Sequence, residues 1–226
     1  WQEFEIPFAE TQSGKTACLS SHPCNLGGVG VTGNSAGNCI AKEADVILGI
    51  GTRFSDFTTG SKSLFREDAQ IVTVNTSRFD AYKLGAVKVV ADAGLAIEKL
   101  GQILRREGYR SGYEGEIKEA REGWKKEMAF LASYSYGQDF KPLIAAGDPR
   151  TIPEFHELTG SGLTQTAVVA RVRERIPEDA ICVGAAGSLP GDLQRMWTSD
   201  TRYSYNMEYG YSCMGYEIAG AFGSKL

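Results

Sequence analysis

"DVILGIGTRFSDFTTGSKSLFREDAQIVTVN", residues 45–75, opens and closes on a short run of aliphatic and β-branched residues. Runs that are apolar without alternation and bounded by Gly, Asp or Thr read as strands covered on both faces of a parallel sheet. "DVILGI" (45–50) and "QIVTVN" (70–75) therefore predict two such strands, and "EIPFAE" (5–10) and "VKVVA" (87–91) repeat the signal. Between them "GNSAGNCIAKEA" (33–44) and "RFDAYKL" (78–84) read as helices. "DAGLAIEKLGQILRREG" (92–108) is a further helix, with Leu95, Ile97, Leu100, Ile103 and Leu104 at helical spacing. Asp92 suits its N-cap and Gly108 its stop. Strand–helix alternation of this kind predicts a doubly wound, parallel-sheet α/β domain over residues 1–108.

Residues 109–162 read as a helical and irregular connector. "YEGEIKEAREGWKKEMAFL" (113–131) sets Ile117, Ala120, Trp124, Met128 and Leu131 on one helical face, with Glu114–Lys118 and Glu122–Lys126 as i,i+4 pairs outside. "GQDFKPLIAAGDPRTIPEF" (137–155), rich in Pro and Gly, reads as irregular. A second α/β unit over 163–226 begins with the helix "LTQTAVVARVRERIP", whose stripe is Leu163, Ala167, Val168, Val172 and Ile176. The strand "AICVGAA" (180–186), the helix "SLPGDLQRMW" (188–197) and the strand "TRYSYNM" (201–207) follow.

Composition narrows the function classes. With 42% hydrophobic and 23% charged residues, the 226-residue chain has the make-up of an ordinary globular protein. A net charge of −4 argues against a nucleic-acid surface, and no apolar run has the length of a membrane helix. Cys18, Cys24, Cys39, Cys182 and Cys213, with His22 and His156, form no metal-ligand spacing and no disulfide framework, which fits a reducing cytoplasm. Neither the start at Trp1 nor the end at Leu226 carries a boundary signal, so the expectation is an internal piece of a longer protein.

Four motifs invite chemistry. "GVGVTG" (28–33) matches G-x-G-x-x-G, yet "ACLSSHPCNL" before it makes a poor strand and no acidic residue closes the next one. It reads as a glycine-rich loop capping the sheet, with a dinucleotide site as the alternative. "SGKT" (13–16) resembles the end of a P-loop, but its earlier glycine is missing at Ala9. Arg53, Asp56 and the hydroxyls of "TRFSDFTTGS" follow a strand's carboxyl end, where α/β sheets bind ligands; a polar loop pairing Arg53 with Asp56 explains them equally. "AAGSLPGDLQRMW" (185–197) places Ala186, Gly187 and Ser188 between a strand and a helix that has Pro190 and Asp192 in its first turn. Open N–H groups there form an anion site, unless Ser188 is only an N-cap. Cys213 reads as a small apolar side chain rather than a nucleophile, since no histidine is near it in sequence.

Taken in order, "ETQSGK", "HPCNLGGVGVTG", "EADVILGIGTRFSDFTTGS", "FDAYKLGAVKVVADA", "AAGSLPGDL" and "EYGYSCMGYEIAGA" resemble the thiamine-diphosphate-dependent enzymes across nearly the whole chain. The upstream part is similar to their central domain, as in acetohydroxyacid synthases, and residues 163–226 to the start of their cofactor-binding domain. Within the superfamily the resemblance is to hydrolases that cleave a C–C bond of a cyclic trihydroxy-1,2-dione in myo-inositol breakdown. It implies a cofactor held in a V, so that its 4′-amino group can take the thiazolium proton.

By that resemblance Met214 is the apolar wedge and its N–H holds the pyrimidine, the Ser212 carbonyl accepts from the amino group, and Cys213 and Gly215 flank them. Ala186, Gly187 and Ser188 would face the diphosphate. The resemblance puts the Mg²⁺ ligands and the activating glutamate outside the present sequence, so it implies no catalytic residue and no metal ligand here. The fragment alone is then expected to lack turnover and tight cofactor retention. A homo-oligomer with active sites between subunits, and a small-molecule substrate, are implied too. The alternatives are an acetohydroxyacid-synthase-like carboligase with FAD, and a non-catalytic module binding a nucleotide at "GVGVTG".

Overall fold

The computed structural model describes residues 2–136, 148–160 and 162–226. Every strand pairing within its sheets is parallel. β1 (Phe8–Glu10) pairs with β2 (Asn25–Gly28). β3 (Val46–Ile50), β4 (Gln70–Val74) and β5 (Val87–Val89) form a sheet in chain order, with Val46 opposite Gln70 and Val72 opposite Val87. β6 (Cys182–Gly184) pairs with β7 (Tyr205–Met207). The parallel α/β class expected from the apolar runs is the class observed.

The strand β2 corrects the expectation that a poor strand precedes "GVGVTG". Its residues, Asn-Leu-Gly-Gly, lack a β-branched signature, yet Leu26 is buried and the backbone pairs with β1. Helix α1 (Ser35–Glu43) follows, capped by the Asn34 side chain, which accepts from the Gly37 N–H at 2.8 Å. The connection is tight where glycines let backbone approach backbone. A Cβ on Gly33 or Gly37 would come within 2.6 or 2.4 Å of the Gly28 carbonyl oxygen.

After β3 a short helix, α2 (Asp56–Thr59), is capped by Ser55, and after β4 another, α3 (Arg78–Ala81), is capped by Ser77. Helix α4 (Ala93–Arg106) has the expected Asp92 cap, accepting from the Leu95 N–H at 3.0 Å. It ends at Gly108 in the left-handed region, φ 62°. Of its apolar residues, Leu100 and Leu104 are half-buried, while Leu95, Ile97 and Ile103 are exposed.

Helix α5 (Glu114–Ser133) uses the whole of its expected apolar face, on two clusters in turn. Ile117, Ala120 and Trp124 pack with Cys24, Leu26 and Ala36. Met128, Leu131 and Ala132 pack with Val169, Leu193, Met196, Trp197, Tyr205 and Met207. Neither expected i,i+4 ion pair closes on its outer side. Arg121 donates instead to the carbonyls of His22, at 2.7 Å, and Asn25, while Ser35 donates to Glu127 at 2.7 Å.

Helix α6 (Thr151–Thr159) corrects the irregular reading of its segment; residues 137–147 of that segment lie outside the described residues. Pro153 is compatible with it because the first turn has no intrahelical use for its N–H. In α7 (Gln165–Arg173), capped by Thr164, the buried residues are Thr166, Ala167 and Val169, whereas Leu163, Val168 and Val172 of the expected stripe are exposed. The phase is set by a polar contact: the Thr166 hydroxyl donates to the Leu131 carbonyl at 2.9 Å.

Helix α8 (Leu189–Met196) is stitched to β1 and β2 through Gln194, which is 1% exposed. Its amide donates to the carbonyls of Glu10 and Val29 at 3.3 and 3.4 Å and accepts from the Thr32 hydroxyl. The Gln12 amide donates to the Pro190 carbonyl at 2.7 Å. Helix α9 (Tyr216–Lys225) lies against β6, where a Cβ on Gly220 would meet Val183 at 3.0 Å.

Candidate cofactor site

Neighbouring parallel strands deliver their carboxyl ends to one edge of a sheet, which is where α/β proteins bind ligands. Here β6 runs out through Ala185 into Ala186, Gly187 and Ser188, and β7 runs out into the loop 208–215. The two exits are tied by a bond from the Glu208 N–H to the Gly184 carbonyl at 3.1 Å. The fold thus brings Ala186, Gly187 and Ser188 to the same sheet edge as Ser212, Cys213, Met214 and Gly215.

The first exit is built for close approach. Gly187 has φ 97°, a conformation costly for a side chain, and a Cβ there would meet nothing within 4 Å. Ser188 stands at the N-cap but its side chain makes no capping bond, so the amides of the first turn of α8 are not closed off by it. Its hydroxyl instead lies 3.5 Å from the side-chain oxygen of Gln165, whose amide donates to Asp192 at 2.7 Å. Open space and turn amides fit a diphosphate group.

The second exit is organised by Glu208. Its carboxylate accepts from the N–H groups of Tyr211 at 2.9 Å and Cys213 at 2.8 Å. Those two backbone donors, that of Cys213 first, hold the carboxyl below the usual carboxylate range. Ser212 sits in the left-handed region at φ 52°, and Gly215 at φ 90°, its N–H donating to Glu217 at 3.0 Å. The turn leaves Met214 standing out at 87% exposure, an uncommon position for a thioether, at the threshold of α9. Burial, followed by the Glu208 charge, raises the Cys213 thiol, which makes it a poor nucleophile.

A third loop reaches this edge. Phe57 meets Tyr209 edge-on with ring centroids 4.9 Å apart, and a Cβ on Gly210 would lie 3.2 Å from the Arg53 guanidinium. No ion pair joins Arg53 to Asp56 among the described residues; the polar groups of "TRFSDFTTGS" bond within the loop instead, as the Thr59 hydroxyl does to the Ser55 carbonyl at 3.0 Å. Sequence reasoning missed Glu208 and the aromatic contact. The signal available was an acidic residue directly ahead of a Gly-containing turn.

"GVGVTG" does have strand, turn and helix in order, but most of its amides are already used. Val29 donates to Glu10, Gly30 to Asn38, Val31 to Phe57, Gly33 to Gly30 and Asn34 to Gly28. A phosphate cradle needs those donors free, so the loop serves packing. "SGKT" begins inside a one-turn 3-10 helix, Gln12–Gly14, and no α-helix opens after it, so the P-loop reading fails in structure as well. Among the described residues no group of His, Cys, Asp or Glu is arranged to hold a metal, and no helix is long and apolar enough to cross a membrane.

Residues 1–100 match the family model of the thiamine pyrophosphate enzyme central domain. The whole chain aligns at 58% identity with a 3D-(3,5/4)-trihydroxycyclohexane-1,2-dione hydrolase of Geobacillus thermodenitrificans. Residues 1–100 are thus similar to the central domain of the thiamine pyrophosphate enzymes, and the whole chain to part of these hydrolases. Proteins of the same name from Clostridium perfringens, and one numbered 2 from Bacillus cereus, are each 56% identical over 100% of the chain. The chain spans 35% of the length of each of these relatives. Given that similarity the two strand exits are the natural place to look for cofactor contacts, and none of the relatives' names favours the carboligase alternative.

Proposed function

We propose that the chain forms part of a thiamine-diphosphate-dependent hydrolase that cleaves a C–C bond of a cyclic trihydroxy-1,2-dione in inositol breakdown. The observation that carries this reading is identity of 58% along the entire chain with a relative bearing that hydrolase name. The placement of both candidate segments at one sheet edge supports it.

In this reading Ala186, Gly187 and Ser188 bind the diphosphate through the open turn before α8. The Ser212 carbonyl and the Met214 N–H hold the pyrimidine, with Cys213 and Gly215 shaping the backbone around them, and the Met214 side chain supports the bend between the rings. Bound there, thiamine diphosphate supplies a carbon nucleophile and an electron sink for C–C cleavage. Glu208 positions the loop by holding two of its amides. Mg²⁺ accompanies the diphosphate to balance its charge, with ligands beyond the described clusters. The protein works as a cytoplasmic homo-oligomer on a small molecule, and residues 1–108, 109–162 and 163–226 serve as central domain, connector and start of the cofactor domain.

The test is to supply the whole protein of which this chain is part with thiamine diphosphate, Mg²⁺ and the cyclic trihydroxy-dione, in parallel with pyruvate. Appearance of an open-chain acid from the dione supports the reading. Formation of acetolactate from pyruvate, with no reaction of the dione, would falsify it.

A further inference from the structure

The "SGKT" stretch, which is not a P-loop, places a charged side chain where charge is costly. Lys15 is 6% exposed and forms no ion pair among the described residues. Its ammonium lies 5.9 Å from the ring centre of Tyr205, itself 6% exposed, and both line a cleft of about 430 Å³ between the Gln12–Gly14 turn and β7. Among the described residues, the buried side-chain atoms without a hydrogen-bond partner are Gln12 Oε1, Thr16 Oγ1, Trp197 Nε1 and Tyr205 Oη. Two of these atoms, on Gln12 and Thr16, belong to the segment carrying Lys15, and a third is the hydroxyl of Tyr205, a residue that lines the cleft. Buried polar atoms are nearly always paired, so an unmet phenol and a buried amine on the lining of one cleft mark a place for an external partner.

We propose that Lys15 and Tyr205 hold a small oxyanion, a carboxylate or a phosphate, in this cleft. An oxyanion accepts from both the ammonium and the phenol, and it supplies a counter-charge at contact. Glu10 attracts the Lys15 ammonium only from outside ion-pair distance, and its carboxylate accepts from the Cys18 N–H at 3.2 Å. The other titratable group facing the amine is the Cys182 thiol, which burial pushes up to about 11 and so keeps neutral. Burial also pushes the Lys15 amine down and the Tyr205 phenol up. A bound anion reverses the first shift and uses the protonated phenol as donor.

Sodium acetate and sodium phosphate, titrated separately into the full chain by calorimetry at ionic strength fixed with sodium chloride, test the site. Saturable binding of acetate alone assigns a carboxylate, of phosphate alone a phosphate, and of both a general oxyanion site. Lys15→Met is expected to weaken binding at least about tenfold, and Tyr205→Phe, which removes only an unpartnered oxygen, about fivefold. The exposed Lys225→Met should bind as the parent does. No saturable binding of either anion, or undiminished affinity in either folded variant, overturns the proposal. Tyr205→Phe keeps the test decisive if Lys15→Met does not fold.

Discussion

Replacing Gln194 by Leu isolates the polar stitch between α8 and the first two strands. The substitution nearly conserves volume, so the cavity contribution is small, and the loss falls on hydrogen bonds. The Glu10 carbonyl keeps its bond from the Val29 N–H at 3.0 Å, but the Val29 carbonyl and the Thr32 hydroxyl lose their Gln194 partner. One part-buried acceptor and one part-buried hydroxyl left unmet cost about 2–3 kcal/mol together. For a chain of this size that is a fall in Tm of roughly 4–12 °C. Urea unfolding followed by Trp fluorescence reads it, since Trp197 lies buried in the adjoining cluster. Thr32→Val combined with Gln194→Leu should recover about 1 kcal/mol relative to the sum of the single changes. A Gln194→Leu protein within about 0.5 kcal/mol of the parent would show that the stitch contributes nothing.

Further outcomes can be read separately. Gly187→Ala places a side chain at φ 97° and is expected, in the whole protein of which this chain is part, to reduce thiamine diphosphate affinity about tenfold in equilibrium dialysis with Mg²⁺, while the Tm falls by only a few degrees. Thr164→Ala removes the α7 cap, whose hydroxyl accepts from Ala167 at 3.2 Å and donates to the Tyr134 carbonyl at 3.0 Å; a loss of about 1–2 kcal/mol in urea is expected. Glu208 has a carboxyl held below its ordinary 4.5, so its contribution is complete above that value and is lost as pH falls through the depressed one. Amide exchange at Tyr211 and Cys213 should accordingly quicken, relative to the intrinsic rate, only on acidification below that ordinary value, and Glu208→Gln should show the faster exchange already at pH 7. Gly33→Ala, with its Cβ 2.6 Å from the Gly28 carbonyl, should lose about 3 kcal/mol or fail to accumulate as soluble protein.

What could be read from the sequence was whatever a side chain announces locally. β3 and β4 are apolar runs with turn residues at their ends, and the Asp92 cap and Gly108 stop of α4 follow from backbone chemistry within a few residues. β2 was hidden because its glycines make room for the Asn34 and Gln194 side chains, a requirement set by the α1 cap and by α8 and not by strand propensity. α7 was mis-phased because Thr166 faces inward to bond the Leu131 carbonyl, and a count of apolar residues cannot register a buried polar contact. α6 was missed because Pro153 reads as a breaker unless the helix start is known. At the site, Gly187 and Pro190 punctuate the first exit visibly. Glu208 leaves no comparable mark, since it acts on amides three and five residues onward in an irregular loop.

Helix α5 serves two masters with one rigid rod, and this constrains how the chain can change over time. Each residue turns the rod by about 100°, so one residue inserted between Trp124 and Met128 would swing Met128 and Leu131 away from their cluster while Ile117 stayed on its own. A seven-residue insertion would restore the facing but lengthen the rod by about 10 Å, drawing the second cluster off the Gln194 bonds. Substitutions along this helix can drift; its length between the two clusters cannot.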